Sequence, residues 1–187
     1  MIGRMTALFT RARLIGLTAA LVIFAADQWL KNYVVEVLGL RRIGDHYPLL
    51  PFFDLTRTNN YGVSLGMFQA TSMEMRWGLV LLTAGIAAGV FVWIMRETQK
   101  WDIAGLSLIL GGALGNIVDR YSLGFVIDYA DFHIGSVRPF MIFNLADAAI
   151  TVGVVILLYR ALFIGEKHAT EQDEPTADTT RGENQDA

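Results

Sequence analysis

The chain has 187 residues and no cysteine, with 53% hydrophobic residues and a mean hydropathy of +0.42. That is too apolar for an ordinary soluble domain of this length, and the absence of thiols excludes disulfides, a cysteine nucleophile and thiolate metal sites. The net charge of −3 is uneven: residues 166–187 hold 7 acidic and 2 basic side chains, which leaves a body of net +2. A mildly basic, very apolar body suits an anionic bilayer, and nothing in it looks like a nucleic-acid surface.

Residues 1–13 are short and basic, with Arg4, Arg11 and Arg13, and residues 14–26 are unbroken apolar or small. A cleaved signal peptide is disfavoured, because cleavage after Ala26 would put bulky Phe24 where a small residue is needed. Extended to about residue 35, the run is long enough to span a bilayer. Asp27 and Lys31 sit near its far end, four apart, so a helix puts them on one face where they can pair.

Residues 36–76 are mixed and contain proline. Phe53, Leu55 and Arg57 alternate with Asp54, Thr56 and Thr58, a strand pattern. Asn59, Asn60, Tyr61 and Gly62 form a turn signal, with a return strand expected over 63–68. This predicts a small β-platform outside the bilayer over about 36–70, then a short interfacial helix at 71–76. Residues 77–95 carry no charge and give the clearest span, with Trp77 and Trp93 as interface aromatics. A polar turn with Arg96 and Lys100 leads to a third span over about 103–120. In it Gly111 and Gly115 are four apart, beside Gly112, a spacing that lets helices approach closely. Residues 121–138 read as a polar connection, and about 139–160 as the fourth span. The fold class expected is therefore an all-α integral membrane protein of four transmembrane helices with a small extracytoplasmic β-platform. Residues 1–165 form one membrane-embedded domain, and the acidic tail over 166–187 is expected to be disordered and cytoplasmic. The basic N-terminus points to cytoplasmic termini.

Carboxylates at the ends of apolar spans are costly and usually functional. Asn116, Asp119 and Arg120 share one helical face at the exit of the third span, and Asn144 and Asp147 lie near the start of the fourth. Asp27 and Lys31 lie on the same side of the membrane, as does Asp128 in the connection. Two carboxylates brought close and partly desolvated cannot both ionise readily, so one keeps its proton. The ionised partner can then take a proton from water while the protonated one polarises a carbonyl, without any metal or cofactor. No buried serine paired with lysine or histidine is apparent, and His46, His133 and His168 lack metal-ligand spacing. From the residues alone an aspartic protease, a proton-coupled carrier or channel, and a purely structural cluster all remain open.

Five segments, in order, resemble the lipoprotein signal peptidase (signal peptidase II) family over about residues 14–160. Asp27-Gln28-Trp29-Leu30-Lys31 resembles its Asp-x-x-x-Lys, and Asn60-Tyr61-Gly62 its Asn-x-Gly. Gly115-Asn116-Ile117-Val118-Asp119-Arg120 is similar to Gly-Asn-x-x-Asp-Arg. Gly124-Phe125-Val126-Ile127-Asp128-Tyr129 resembles Gly-x-Val-x-Asp-Phe, and Phe143-Asn144-Leu145-Ala146-Asp147 resembles Phe-Asn-x-Ala-Asp. Tyr129 and Leu65 stand where the family commonly has Phe, a difference of local packing. The resemblance implies a catalytic pair, Asp128 and Asp147, with Asp119 in support. It implies that Asn60, Gly62, Asn116, Arg120 and Asn144 position substrate, and that Asp27 and Lys31 hold the architecture. It further implies a monomer in the bacterial inner membrane with no cofactor, facing outward and cleaving diacylglyceryl-modified prolipoproteins just before the lipidated cysteine.

Overall fold

The structure is a computed structural model that describes residues 10–62 and 73–163. Four helices in it are long and apolar enough to cross a membrane. They are α1 (Arg11–Asn32, continued by a π-helical turn at Tyr33–Val37), α2 (Met73–Arg96), α3 (Lys100–Ser122) and α4 (Leu145–Phe163). The expected spans are all present, but the fourth begins later than residue 139. Asn144 stops the helix from starting earlier, because its side chain caps it, and Phe143 is bonded to a strand instead. Met73–Arg76, expected in a separate interfacial helix, form the first turn of α2. Thr71 and Ser72, the return strand over 63–68, the acidic tail and His168 lie outside the described residues.

Half of the most apolar stretch of α3 is buried, against about a fifth of each other helix, so α3 is the helix the other three surround. Its glycines make that possible. A Cβ at Gly111 would lie 2.5 Å from the backbone oxygen of Ala20 in α1. One at Gly112 would collide with the backbone oxygen of Ala146 in α4, and one at Gly115 with the Asp27 carboxylate. The close approach expected from the glycine spacing is thus real, and it serves two different neighbours. On the outside the helices show lipid-compatible side chains such as Leu81, Leu82, Ile86, Val155 and Leu162. All four tryptophans are exposed near helix ends: Trp29 and Trp77 at one end of the bundle, Trp93 and Trp101 at the other. Amphipathic indoles favour the two membrane interfaces.

The platform is a three-stranded antiparallel sheet in the order β1 (His46–Leu50), β2 (Phe53–Asn60), β3 (Val126–Phe132). It caps the end of the bundle where α1 and α3 finish and α2 and α4 begin. Two of its strands differ from the expectation. Asn59 and Asn60 are still in β2, paired with Ile127 and Val126, and the turn follows them: Gly62 N donates to Asn60 Oδ1 at 3.1 Å. The connection after α3, read as polar, contains β3, whose residues from Val126 to Asp131 are all buried. Burial of consecutive residues hides the alternation that a half-exposed strand would show. β1 is an exposed edge and holds Pro48, a residue tolerated at a sheet edge because it donates no ladder hydrogen bond.

The helix packing gives a first test. Gly112→Val should destabilise the protein by about 1–3 kcal/mol or more, since the added carbons meet backbone that cannot yield. Thermal unfolding in detergent micelles should show a clear loss relative to Ala113→Val, a change at a partly buried neighbour.

Candidate active site

The helix ends beneath the sheet carry a connected set of buried polar groups. The ammonium of Lys31 lies 2.7 Å from Asp27 Oδ2 and 2.9 Å from Asp119 Oδ2, with all three side chains at most 5% exposed. One cation therefore faces two carboxylates, and backbone amides supply the rest of the compensation. Asp27 Oδ1 accepts from Ala146 N at 3.0 Å, and Asp119 Oδ2 accepts from Ile127 N at 3.1 Å. Gln28 Nε2 donates to Asp119 Oδ1 at 2.9 Å. These bonds join α1 to α3, to the start of α4 and to β3. Asp119 faces Lys31 and the β3 backbone and does not line the groove described below.

The first turn of α4 leaves amides without intrahelical partners, and three different elements claim them. Leu145 N donates to Tyr129 Oη at 3.3 Å, Ala146 N to Asp27, and Asp147 N to Asn144 Oδ1 at 2.9 Å. Asn144 N in turn donates to Asp147 Oδ2 at 3.3 Å. This is a capping box in which Asn and Asp replace the usual hydroxyl and glutamate. The same Asn144, fully buried, donates through Nδ2 to Asp128 Oδ1 at 2.6 Å. One amide side chain thus sets the positions of Asp128 on β3 and Asp147 on α4. Asn116 on α3 completes the arrangement, donating from Nδ2 to Asp147 Oδ1 at 2.8 Å.

Asp128 and Asp147 line one groove of about 1040 Å³. Its walls are β2 with the following turn (Asn60, Gly62), the segment before α4 (Phe140, Met141) and the flank of α4 (Thr151, Val152). Asp128 is buried and Asp147 half-buried. Burial, then the neighbouring charge of Asp147, pushes the Asp128 carboxyl up to about 7, against bonds from Asn144 and Asn60 that favour its ionised form. A proton is thus held on one member of the pair near neutrality.

Asn60, Gly62, Asp128 and Asp147 line the groove, and buried Asn116 and Asn144 bond its two carboxylates. Asp27, Lys31 and Asp119 lie behind it. Arg120 bridges the two groups: its Nη2 donates to Gly62 O at 2.9 Å, while its Nε is buried without a partner among the described residues. Four contributors lie outside the residues assigned to the site from the sequence. Gln28 lies inside the Asp27–Lys31 segment and could have been noticed by its position. Arg76 donates to the carbonyls of Arg120 (2.9 Å) and Tyr121 (2.5 Å), closing the C-terminus of α3. Arg57 is buried at a bulge in β2, its guanidinium 5.6 Å from the Phe125 ring centroid. Burial lowers its pKa, an effect opposed by the charges of Asp119 and Asp128. Tyr129 reaches α4 through its hydroxyl. His133 stands at the far edge of the platform, 3.3 Å from Asp54.

The family model for signal peptidase (SPase) II matches residues 19–163, most of the chain. The chain belongs to the signal peptidase II family. It is 50% identical over 163 residues to the lipoprotein signal peptidase of Sphingopyxis alaskensis, covering 87% of this chain and 94% of that one. It is 48% identical over 154 residues to that of Rhizorhabdus wittichii, covering 82% and 89%. Two solved bacterial membrane enzymes share the fold, with a TM-score of 0.72 at 24% identity and of 0.68 at 27% identity. They cover 87% and 80% of this chain, and 94% and 93% of their own. A multi-pass bacterial membrane protein of this family accounts for the four apolar helices and the small sheet above them.

The shared ammonium generates a stability test. Lys31→Met leaves two buried carboxylates without their cation, a change that costs about 3–5 kcal/mol. The variant should accumulate poorly in membranes and unfold well below the parent. Pairing it with Asp119→Asn should recover part of the loss.

Proposed function

We propose that the protein is an aspartic endopeptidase that removes the signal peptide from diacylglyceryl-modified prolipoproteins, cutting just before the lipidated cysteine, with Asp128 and Asp147 as the catalytic pair. The observation that carries this reading is the Asn144 bridge, which holds both carboxyl groups on one groove at the mouth of the bundle. Membership of the signal peptidase II family favours it over a carrier or channel built on the same carboxylates.

In this mechanism Asp128 enters protonated, as its raised pKa favours, and donates a hydrogen bond to the scissile carbonyl oxygen. Asp147, which already accepts from Asn116 and Asn144, accepts a proton from water. The water oxygen bonds to the carbonyl carbon, and the Asp128 proton passes to the carbonyl oxygen. On collapse the proton held by Asp147 moves to the leaving nitrogen, the C–N bond breaks, and Asp128 recovers its own. Asn60, which lines the groove, and Arg120, which holds Gly62 O, would position the substrate backbone. The active site opens on the outer face of the inner membrane, with the termini cytoplasmic and the protein acting as a monomer.

Asp128→Asn and Asp147→Asn should each lower turnover of a diacylglyceryl-modified precursor by about 10³-fold or more, equivalent to roughly 4 kcal/mol. Mass analysis of the products, with the unlipidated precursor as control, reads the result; near-normal turnover by either folded variant would sink the pair. The pH dependence has a definite sign. Above about 7 Asp128 loses its proton and can no longer give it to the carbonyl oxygen, so kcat/KM should fall as pH rises through that value. A flat profile from pH 6 to 9 contradicts the assignment of Asp128 as the acid.

A further inference from the structure

The last turn of α3 ends in carbonyls that the helix itself cannot use. Leu123 N donates to Asp119 O at 2.7 Å, and Gly124 N to Arg120 O at 3.2 Å. A side chain from another helix takes further capacity there. Arg76, in the first turn of α2, donates from Nε to Arg120 O at 2.9 Å and from Nη2 to Tyr121 O at 2.5 Å. Two N–H groups on one edge of a planar fork thus grip two successive carbonyls, a geometry that an ammonium lacks. The positive charge also suits the negative end of the helix dipole.

The grip extends into the turn that leads to β3, the strand of Asp128. Gly124 has φ +87°, and a Cβ there would lie 3.2 Å from Arg76 Nη1 and 3.3 Å from Cζ. The guanidinium is therefore seated over the bare face of this glycine. Beside it Trp77 meets Tyr121 edge-on, with centroids 5.7 Å apart. Both rings are exposed, 40% and 62%, so the aromatic contact buries little and the guanidinium makes the joint. Arg120 is the residue on which this joint converges. Its carbonyl is held by Arg76 of α2, and its own Nη2 holds Gly62 O, in the turn after β2, at 2.9 Å. Arg120 is buried, so the direction of its guanidinium follows the backbone that carries it.

We propose that Arg76 is a positioning residue for the reaction: from α2 it fixes the end of α3 and the turn into β3, and so sets the guanidinium of Arg120 and the groove wall at Gly62. The catalytic part of this inference rests on the peptidase reading above. Arg76 itself does not line the groove, so its effect passes through Arg120.

Arg76→Lys keeps the charge and loses the fork, which makes it the informative variant. Turnover of a diacylglyceryl-modified precursor in detergent micelles is compared for the full-length parent, Arg76→Lys, Arg120→Lys and the double variant. Arg76→Lys should lower kcat/KM by about 10- to 100-fold, the scale of loss when a substrate is held an ångström out of place. Because Arg76 acts through Arg120, the double variant should fall within about threefold of Arg120→Lys alone. Losses that multiply overturn the proposal, and so does parental turnover by Arg76→Lys. Hydrogen–deuterium exchange without substrate gives a second readout. In Arg76→Lys the amides of residues 58–62 and 120–128 should exchange several-fold faster while those of α4 keep the parental rate. Unchanged exchange at 58–62 overturns the link to Gly62, and faster exchange in all four helices overturns it as well, since that is a general loss of stability. A parent that leaves the precursor uncut defeats the peptidase reading, and exchange at 58–62 still decides whether Arg76 governs the Gly62 contact.

Discussion

The architecture depends on one ammonium group removed from water. Lys31 is the shared counter-ion of Asp27 and Asp119 at a depth where a lone carboxylate would be very costly. Because Asp27 also holds the first turn of α4, and Asp119 the first residues of β3, the charge cluster joins the elements that carry the two groove carboxylates. The apolar faces alone could not do this. Between helices in lipid there is little hydrophobic drive, and association rests on close packing and polar bonds. The glycines of α3 supply the first and the Lys31 cluster the second, and Gly115 is where they coincide, since only the missing Cβ leaves room for the Asp27 carboxylate.

The two groove carboxylates sit in contrasting surroundings. Asp128 is buried on a strand and held in its protonated form to about 7. Asp147 is half-buried in the first turn of a helix, where it takes bonds from Asn116 and Asn144. Such asymmetry separates an acid from a base in a pair of chemically identical side chains. It arises from where the chain places them, one on a sheet and one on a helix, and Asn144 bonds to both.

The parts of this arrangement legible in the sequence were those with a strong local signal. Uncharged runs of lipid length marked the spans, and Asp27 with Lys31 showed their pairing through four-residue spacing. The glycine spacing marked the helix contacts. The strands were harder to see. β3 reads as a polar connection because its aspartates, Asp128 and Asp131, are satisfied by partners distant in sequence: Asn144 and Asn60 for one, Thr56 and Arg138 for the other. The start of α4 was misjudged for a related reason. Residues 139–143 are apolar enough to continue a span, but Phe143 bonds to Ala130 and Tyr129, and the cap at Asn144 prevails over composition. Arg57 lies against the Phe125 ring and Arg76 donates to the backbone at the end of α3, contacts with remote segments that no spacing rule reveals.

The double duty of Asn144 has a bearing on biogenesis. The residue that begins the last transmembrane segment is also the one that aligns the two acids. A nascent chain whose final helix has not yet docked can form the local cap between Asn144 and Asp147, but it has no aligned pair. Hydrolytic capacity, on the proposed chemistry, would appear only at the last step of insertion, and an incompletely threaded copy would be harmless to neighbouring membrane proteins.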